Sequence, residues 1–249
     1  MNQRKKISLR LACLWIAVSV LVSGALAGWI AWKVAEKHAQ NELQTYIEEK
    51  SVSRYLTYQR LSESWNRTLA DVYGDVIFFG DSLTAEGLWN EYFPYLTTVN
   101  LGVVGDDIDC LMVRLPQVET LMCSKCFVMI GVNELAFLST VENALADYDQ
   151  LLQQLGRMSE ESGMQVYVQS VLPVQEDVTV YSISNQDIRA LNEGIAALAE
   201  KYNMTYIDVH SSFADESGNM IESFSFDGLH LTEAGYQTWA EVLTPYVDE

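Results

Sequence analysis

The feature that most constrains this chain is an alternation that begins after Gly74, in which short β-branched runs are each followed by a stretch with helical spacing. Strands are predicted over 76–79, 98–103, 126–130, 165–171 and 205–209, and helices over 108–121, 141–158, 187–202 and 232–246. Parallel neighbours need long crossovers, and helices in those crossovers cover both faces of a sheet. Five strands separated by helices therefore imply a parallel sheet buried on both sides. A closed (β/α)8 barrel would need eight such units, so the pattern predicts an open, doubly wound α/β sheet. No repeat or low-complexity linker interrupts residues 74–249, which read as one domain.

The N-terminus is written for different surroundings. The first 33 residues hold five basic groups (Arg4, Lys5, Lys6, Arg10, Lys33) and no acid, whereas residues 34–249 carry ten basic against 34 acidic groups, a net charge of −24. Residues 11–32 contain no charge, and 22 residues of helix at 1.5 Å each reach roughly 33 Å, one hydrocarbon core. This predicts a transmembrane signal anchor over 11–32, with a basic cytoplasmic segment, 1–10, before it and Trp29 and Trp32 at its outer end. A cleaved signal peptide is the alternative, because Ala25-Leu26-Ala27 offers a small-residue cleavage site. Both readings place the rest of the chain outside the cytoplasm. Residues 33–73 read as a helical stem in which Tyr58, Leu61, Trp65, Leu69 and Val72 form one apolar stripe that packs on the domain. The acidic balance argues against a nucleic-acid partner.

In open α/β sheets ligands bind outside the carboxyl ends of the strands, so the residues directly after each strand carry the information. Gly80-Asp81-Ser82-Leu83-Thr84 follows the first strand, Gly102-Val103-Val104-Gly105-Asp106 the second and Gly131-Val132-Asn133-Glu134 the third; Asp227-Gly228-Leu229-His230 precedes the last helix. These are the parts of an acyl-transfer site. A Ser82 hydroxyl needs a base, which His230 can supply, and a carboxylate, Asp227, must fix the imidazole tautomer and stabilise the imidazolium. The tetrahedral oxyanion needs preorganised donors: the Ser82 and Gly105 N–H groups and the Asn133 amide. Each residue also has a plainer use, since Ser82 suits a helix cap, Gly105 a tight turn and Asn133 a bond within its own loop. His210, with Asp208 two residues before it on the same strand face, is a rival base.

Taken together, FFGDSLT, VNLGVVGDD, GVNEL and FDGLHLTEAGY, in this order, resemble the blocks of the SGNH (GDSL) hydrolase superfamily. The resemblance runs from about residue 75 to 247. It implies a flavodoxin-like three-layer αβα sandwich with a five-stranded parallel sheet, Ser82 as nucleophile, Asp227 and His230 as its partners, Gly105 and Asn133 as oxyanion donors, and no metal or other cofactor. Many relatives have Asp where this chain has Glu134, which bears on support of that loop.

The expected function is a membrane-anchored extracytoplasmic serine esterase acting on a short acyl ester, acetyl first, of a carbohydrate. The alternatives are a cell-envelope O-acyltransferase using the same residues, a lipase or lysophospholipase, and a carbohydrate-binding domain on a decayed hydrolase fold. The short-acyl reading rests on residues 172–182, which follow the fourth strand, are mixed and polar, and have no run able to sheath a fatty chain. Tyr181 or Trp89 would serve as a sugar-binding wall. Outside the cytoplasm a disulfide is expected, either Cys123–Cys126 or Cys110–Cys123, with one thiol left over.

Overall fold

In the computed structural model the described residues are 28–29, 31–34, 37–38, 74–121, 123–137 and 139–248. They belong to two units, Met1–Lys50 and Ser51–Glu249. In the first unit, residues 28–29, 31–34 and 37–38 are helical. The segment 1–10, most of the expected span 11–32 and most of the stem 33–73 lie outside the described residues. Among those described, no helix is long and apolar enough to cross a membrane.

The second unit is built from strands β1 (Val76–Gly80), β2 (Thr98–Gly102), β3 (Lys125–Met129), β4 (Gln165–Gln169) and β5 (Thr205–Ile207). Its helices are α1 (Ser82–Ala85), α2 (Trp89–Tyr92), α3 (Ile108–Thr120), α4 (Val132–Ala136), α5 (Val141–Ser162), α6 (Asn185–Lys201) and α7 (Glu233–Val247). The strands pair in parallel in the order β2-β1-β3-β4-β5. The period of two splits each strand between two cores. Ile77 and Phe79 of β1 pack with Leu111, Leu151 and Leu191 of α3, α5 and α6, whereas Val76 and Phe78 pack with Leu83, Trp89 and Trp239 of α1, α2 and α7. This is the three-layer αβα arrangement.

Differences from the sequence reading have local causes. The helices α1, α2 and α4 span four, four and five residues, too short for a 3.6-residue period to register. The helix α5 continues past 158 through a polar tail until Gly163 ends it in the left-handed region, φ 78°. β5 stops at Ile207 because the Asp208 carboxylate accepts from Ser211 N–H and Oγ–H, turning the chain into a 3-10 helix at His210–Ser212. The strand periodicity invoked for Asp208 and His210 therefore does not apply.

The disulfide expectation is also corrected: Cys110, Cys123 and Cys126 are buried free thiols. Cys110 lies in the first turn of α3 and Cys123 beyond its last, a separation of about 15 Å along the helix. A disulfide tolerates a Cα separation of at most about 7 Å. Cys123 lies before β3 and Cys126 within it, and neither thiol is bonded to the other.

Candidate active site

The chain winds from β1 outward to β2 and then returns to the other side of β1 as β3, so a crevice opens between the carboxyl ends of β1 and β3. Ser82 follows β1 and Asn133 follows β3, one on each side of it.

Ser82 is the first residue of α1, held there by a chain of fixed contacts. Gly80 precedes it, and a Cβ at Gly80 would lie 2.3 Å from both the Met129 carbonyl and Thr84 Oγ1, so only glycine lets the chain turn this tightly. Asp81 caps the helix by accepting from Leu83 N–H at 3.0 Å. Burial pushes the Asp81 carboxyl up to about 7, with Asp106 raising it further and Leu83 N–H and His230 opposing. Three side chains take carbonyls of this short helix and the turn after it: Tyr236 donates to Leu83 O (2.8 Å), Trp89 to Thr84 O (2.9 Å), and Asn100 to Thr84, Ala85 and Gly87 O (3.0–3.2 Å). Trp89 is 1% exposed and stacked on Phe78 at 4.1 Å. It is core and carries none of the sugar-wall role expected for it; Tyr181 is exposed.

His230 reaches Ser82 from the loop before α7. Its Nε2 stands 3.2 Å from Ser82 Oγ, and its Nδ1 2.7 Å from Asp227 Oδ2. The other Asp227 oxygen accepts from the backbone N–H groups of Leu229 (3.0 Å) and His230 (2.7 Å), which locks the carboxylate to its own loop. Burial pushes the Asp227 carboxyl up, but the bonds from the His230 ring and these N–H groups outweigh it and hold the group below its ordinary value. An ionised carboxylate only accepts, so it fixes the proton on Nδ1 and leaves the Nε2 lone pair facing the Ser82 hydroxyl. The expected loop after β4 does border this turn, since Gln175 N–H donates to Gly228 O at 2.8 Å. Phe226, 66% exposed, stacks against the His230 ring.

The β2–α3 loop stands beside this relay, tied by Val103 N–H to Gly80 O at 3.1 Å. Gly105 adopts φ 76°, the left-handed region that favours glycine. Asn133 donates to the carbonyl of Asp106, the next residue, at 2.7 Å. Beneath them Arg114 of α3, 2% exposed, pairs with the fully buried Asp106 at 2.7 Å and donates to the carbonyls of Leu101 (2.8 Å) and Gly80 (3.3 Å). Sequence reasoning missed Arg114, although a cation among the apolar positions Leu111, Leu115 and Val118 was a visible signal. Asn100 and Tyr236 gave none, because their partners are backbone carbonyls far away in sequence.

The rival base lies elsewhere. β5 is three strand spacings from β1, about 14 Å. His210 is buried beside a cavity of about 600 Å³ lined by Arg189, Glu193, Tyr206 and Asp208, and its Nε2 has no partner among the described residues. Burial holds the His210 imidazole below its ordinary value, and Asp208 raises it only in part. Among the described residues no group of three or more His, Cys, Asp or Glu could hold a metal ion.

The family model of the GDSL-like Lipase/Acylhydrolase family matches residues 78–238. Platelet-activating factor acetylhydrolase IB subunit alpha1 of Rattus norvegicus is 25% identical over 166 residues, 65% of this chain and 70% of that protein. A solved structure of a GDSL-like lipase from Bacteroides thetaiotaomicron superposes with a TM-score of 0.65 at 19% identity, covering 78% of this chain and 98% of that one. The acetylxylan esterase Axe2 from Geobacillus stearothermophilus gives 0.56 at 16% identity, over 70% and 94%. At these identities the two structures establish a shared fold alone.

Proposed function

We propose a specific reaction on one premise: this chain belongs to the GDSL-like lipase/acylhydrolase family and is an ester-hydrolysing enzyme. The reaction is hydrolysis of a short acyl ester, acetyl first, of a carbohydrate, through an acyl-enzyme on Ser82. The acyl-enzyme step is carried by the hydrogen-bonded run from Ser82 Oγ through His230 to Asp227 at the crevice between β1 and β3, and the short acyl group by the mixed, polar residues 172–182 that border it.

In the first half-reaction Ser82 Oγ attacks the ester carbonyl carbon while its proton passes to His230 Nε2. The carbonyl oxygen becomes an oxyanion held by the N–H groups of Ser82 and Gly105 and by Asn133, whose amide nitrogen carries two hydrogens, one of them already on Asp106 O. One such donor lowers the barrier by about 3–4 kcal/mol. Collapse breaks the ester bond, and the alcohol leaves with the proton from His230. Water then repeats the sequence, releasing the carboxylic acid and restoring Ser82. An alcohol in place of water would make the same residues an acyltransferase.

The membrane-anchored, extracytoplasmic location follows from the uncharged run 11–32 and its basic flank. A lipase or lysophospholipase is the second reading, favoured by the exposed Phe226 on His230 and by exposed Val178, whose Cβ lies 3.1 Å from where a Gly228 Cβ would stand. The test is a panel of p-nitrophenyl esters on wild type and Ser82→Ala. Wild-type kcat/KM should fall from acetyl or butyryl towards octanoyl, and Ser82→Ala should lose hydrolysis with its fold intact. A variant keeping more than about a tenth of kcat, only ~1.4 kcal/mol of barrier, removes Ser82 as nucleophile. A maximum at eight carbons or more replaces the carbohydrate reading with the lipase one.

A further inference from the structure

Behind Asn133 the mechanism leaves one buried acid without a task. Glu134 is 7% exposed, on α4 between the reacting loop and the core. Its Oε1 accepts from the backbone N–H of Ile108, the first residue of α3, at 2.5 Å, while its Oε2 has no partner among the described residues. Ile108 is three residues after Gly105 and two after Asp106, so this bond fastens the end of the Gly105 loop to the turn that carries Asn133. A second tie runs the other way, from the Asn133 amide to Asp106 O. Two bonds, from adjacent residues 133 and 134 on one side to residues 106 and 108 on the other, make a clamp, and together they fix the spacing between the Gly105 N–H and the Asn133 side chain.

We propose that Glu134 is a positioning residue for the oxyanion donors, acting through the Ile108 N–H and never touching substrate. The proposal rests on the function given above for Gly105 and Asn133. Length decides the role. Removing one methylene withdraws the carboxyl by about 1.5 Å, which opens the 2.5 Å contact to about 4 Å, beyond a hydrogen bond. Aspartate therefore cannot hold Ile108. Glutamine can, because its amide oxygen has the same reach.

Charge gives a second criterion. Burial pushes the Glu134 carboxyl up to about 8, opposed by Ile108 N–H and reinforced by Asp107 and Asp81. Tyr148 of α5 also faces it, and Asp106 next to Asp107 is matched by Arg114. Burial thus favours the uncharged form, which glutamine mimics better than aspartate does. Above about pH 8 ionisation would leave an unsolvated anion at this buried position beside Asp81 and Asp107, a cost that the Ile108 N–H offsets only in part.

Glu134→Asp and Glu134→Gln in the full chain test this, with kcat and KM for p-nitrophenyl acetate from pH 6 to 10 and amide hydrogen exchange of residues 103–110. Glu134→Asp should lower kcat tenfold or more with KM within about threefold, because the misplaced donors act in the transition state. It should also speed exchange over 103–110. Glu134→Gln should keep kcat within about twofold at pH 7, keep the exchange protection, and lose part of the alkaline fall in kcat. The inference is overturned if Glu134→Asp matches wild type in both rate and exchange, or if Glu134→Gln is as slow as Glu134→Asp. Should Glu134→Asp not fold, Glu134→Gln decides: an unaltered alkaline limb or unprotected 103–110 overturns it. If wild type hydrolyses no ester, the reading of Gly105 and Asn133 fails, while the exchange of 103–110 still decides whether Glu134 holds the loop.

Discussion

Replacing Arg114 with Met tests the layer under the site most directly. Methionine keeps a straight apolar stem and removes every donor of the guanidinium. Those donors engage Asp106 at 2.7 and 2.9 Å, Leu101 O at 2.8 Å, Gly80 O at 3.3 Å and Gln117 at 3.3 Å. Asp106 has no exposed surface, so its carboxylate would lose its ion-pair partner where water cannot replace it. Breaking a buried pair from one side costs about 3–5 kcal/mol, a large part of the roughly 5–15 kcal/mol that holds a domain folded. For a domain of this size the loss lowers Tm by roughly 6–20 °C, read by circular dichroism. Asp106→Leu and the double variant complete a cycle. The double variant should be less destabilised than the sum of the singles, because two apolar side chains leave no stranded charge. Since Asp106 O holds the Asn133 amide, kcat should fall in Arg114→Met even below its Tm. A loss under about 1 kcal/mol, or additive singles, would refute the view that this pair braces the site.

The remaining predictions concern pH and topology. Asp81 and Glu134 are raised in the folded state from 3.8 to about 7 and from 4.5 to about 8, first by burial. The folded protein therefore binds more protons than the unfolded chain between about pH 4 and 8, so stability is greatest at the acid end and falls as pH rises through that window. The urea midpoint of wild type should drop between pH 5 and 8.5, and Glu134→Gln should flatten the drop; a midpoint that climbs with pH contradicts both assignments. Protease added to intact cells should release the catalytic domain by cutting within residues 34–70, and protection until the membrane is broken would invert the topology.

Much of the fold was legible because burial is written locally. A strand covered on both faces must be apolar throughout, as Val76-Ile77-Phe78-Phe79 is, and the helices between strands repeat their apolar residues every three or four positions. The helix caps Asp107, Thr140, Ser184 and Thr232 are local too, each bonding a residue two or three places on. The positions of Ser82, Gly105, Asn133, Asp227 and His230 could be picked out because each lies at a strand end or in the loop before the last helix, where the topology exposes residues to a ligand.

What the sequence could not decide depends on distances across the chain. The 3.2 Å contact of Ser82 with His230 joins residues 148 positions apart, and only the packed sheet brings them together. Trp89 and Tyr181 look equally able to face a sugar; the three-layer packing buries the first under α1 and leaves the second exposed. Asp208 and His210 are spaced like a catalytic pair, yet the strand order puts them at the far edge. The motif CSKC reads as a bridge, yet the fold buries both of its thiols free. Glu134 reads as a one-methylene departure from a family pattern, and only the placement of α3 beside α4 gives that methylene the length to reach Ile108. Patterning in sequence records which side chains must leave water, whereas which of them then meet is fixed by the order in which the strands and helices pack.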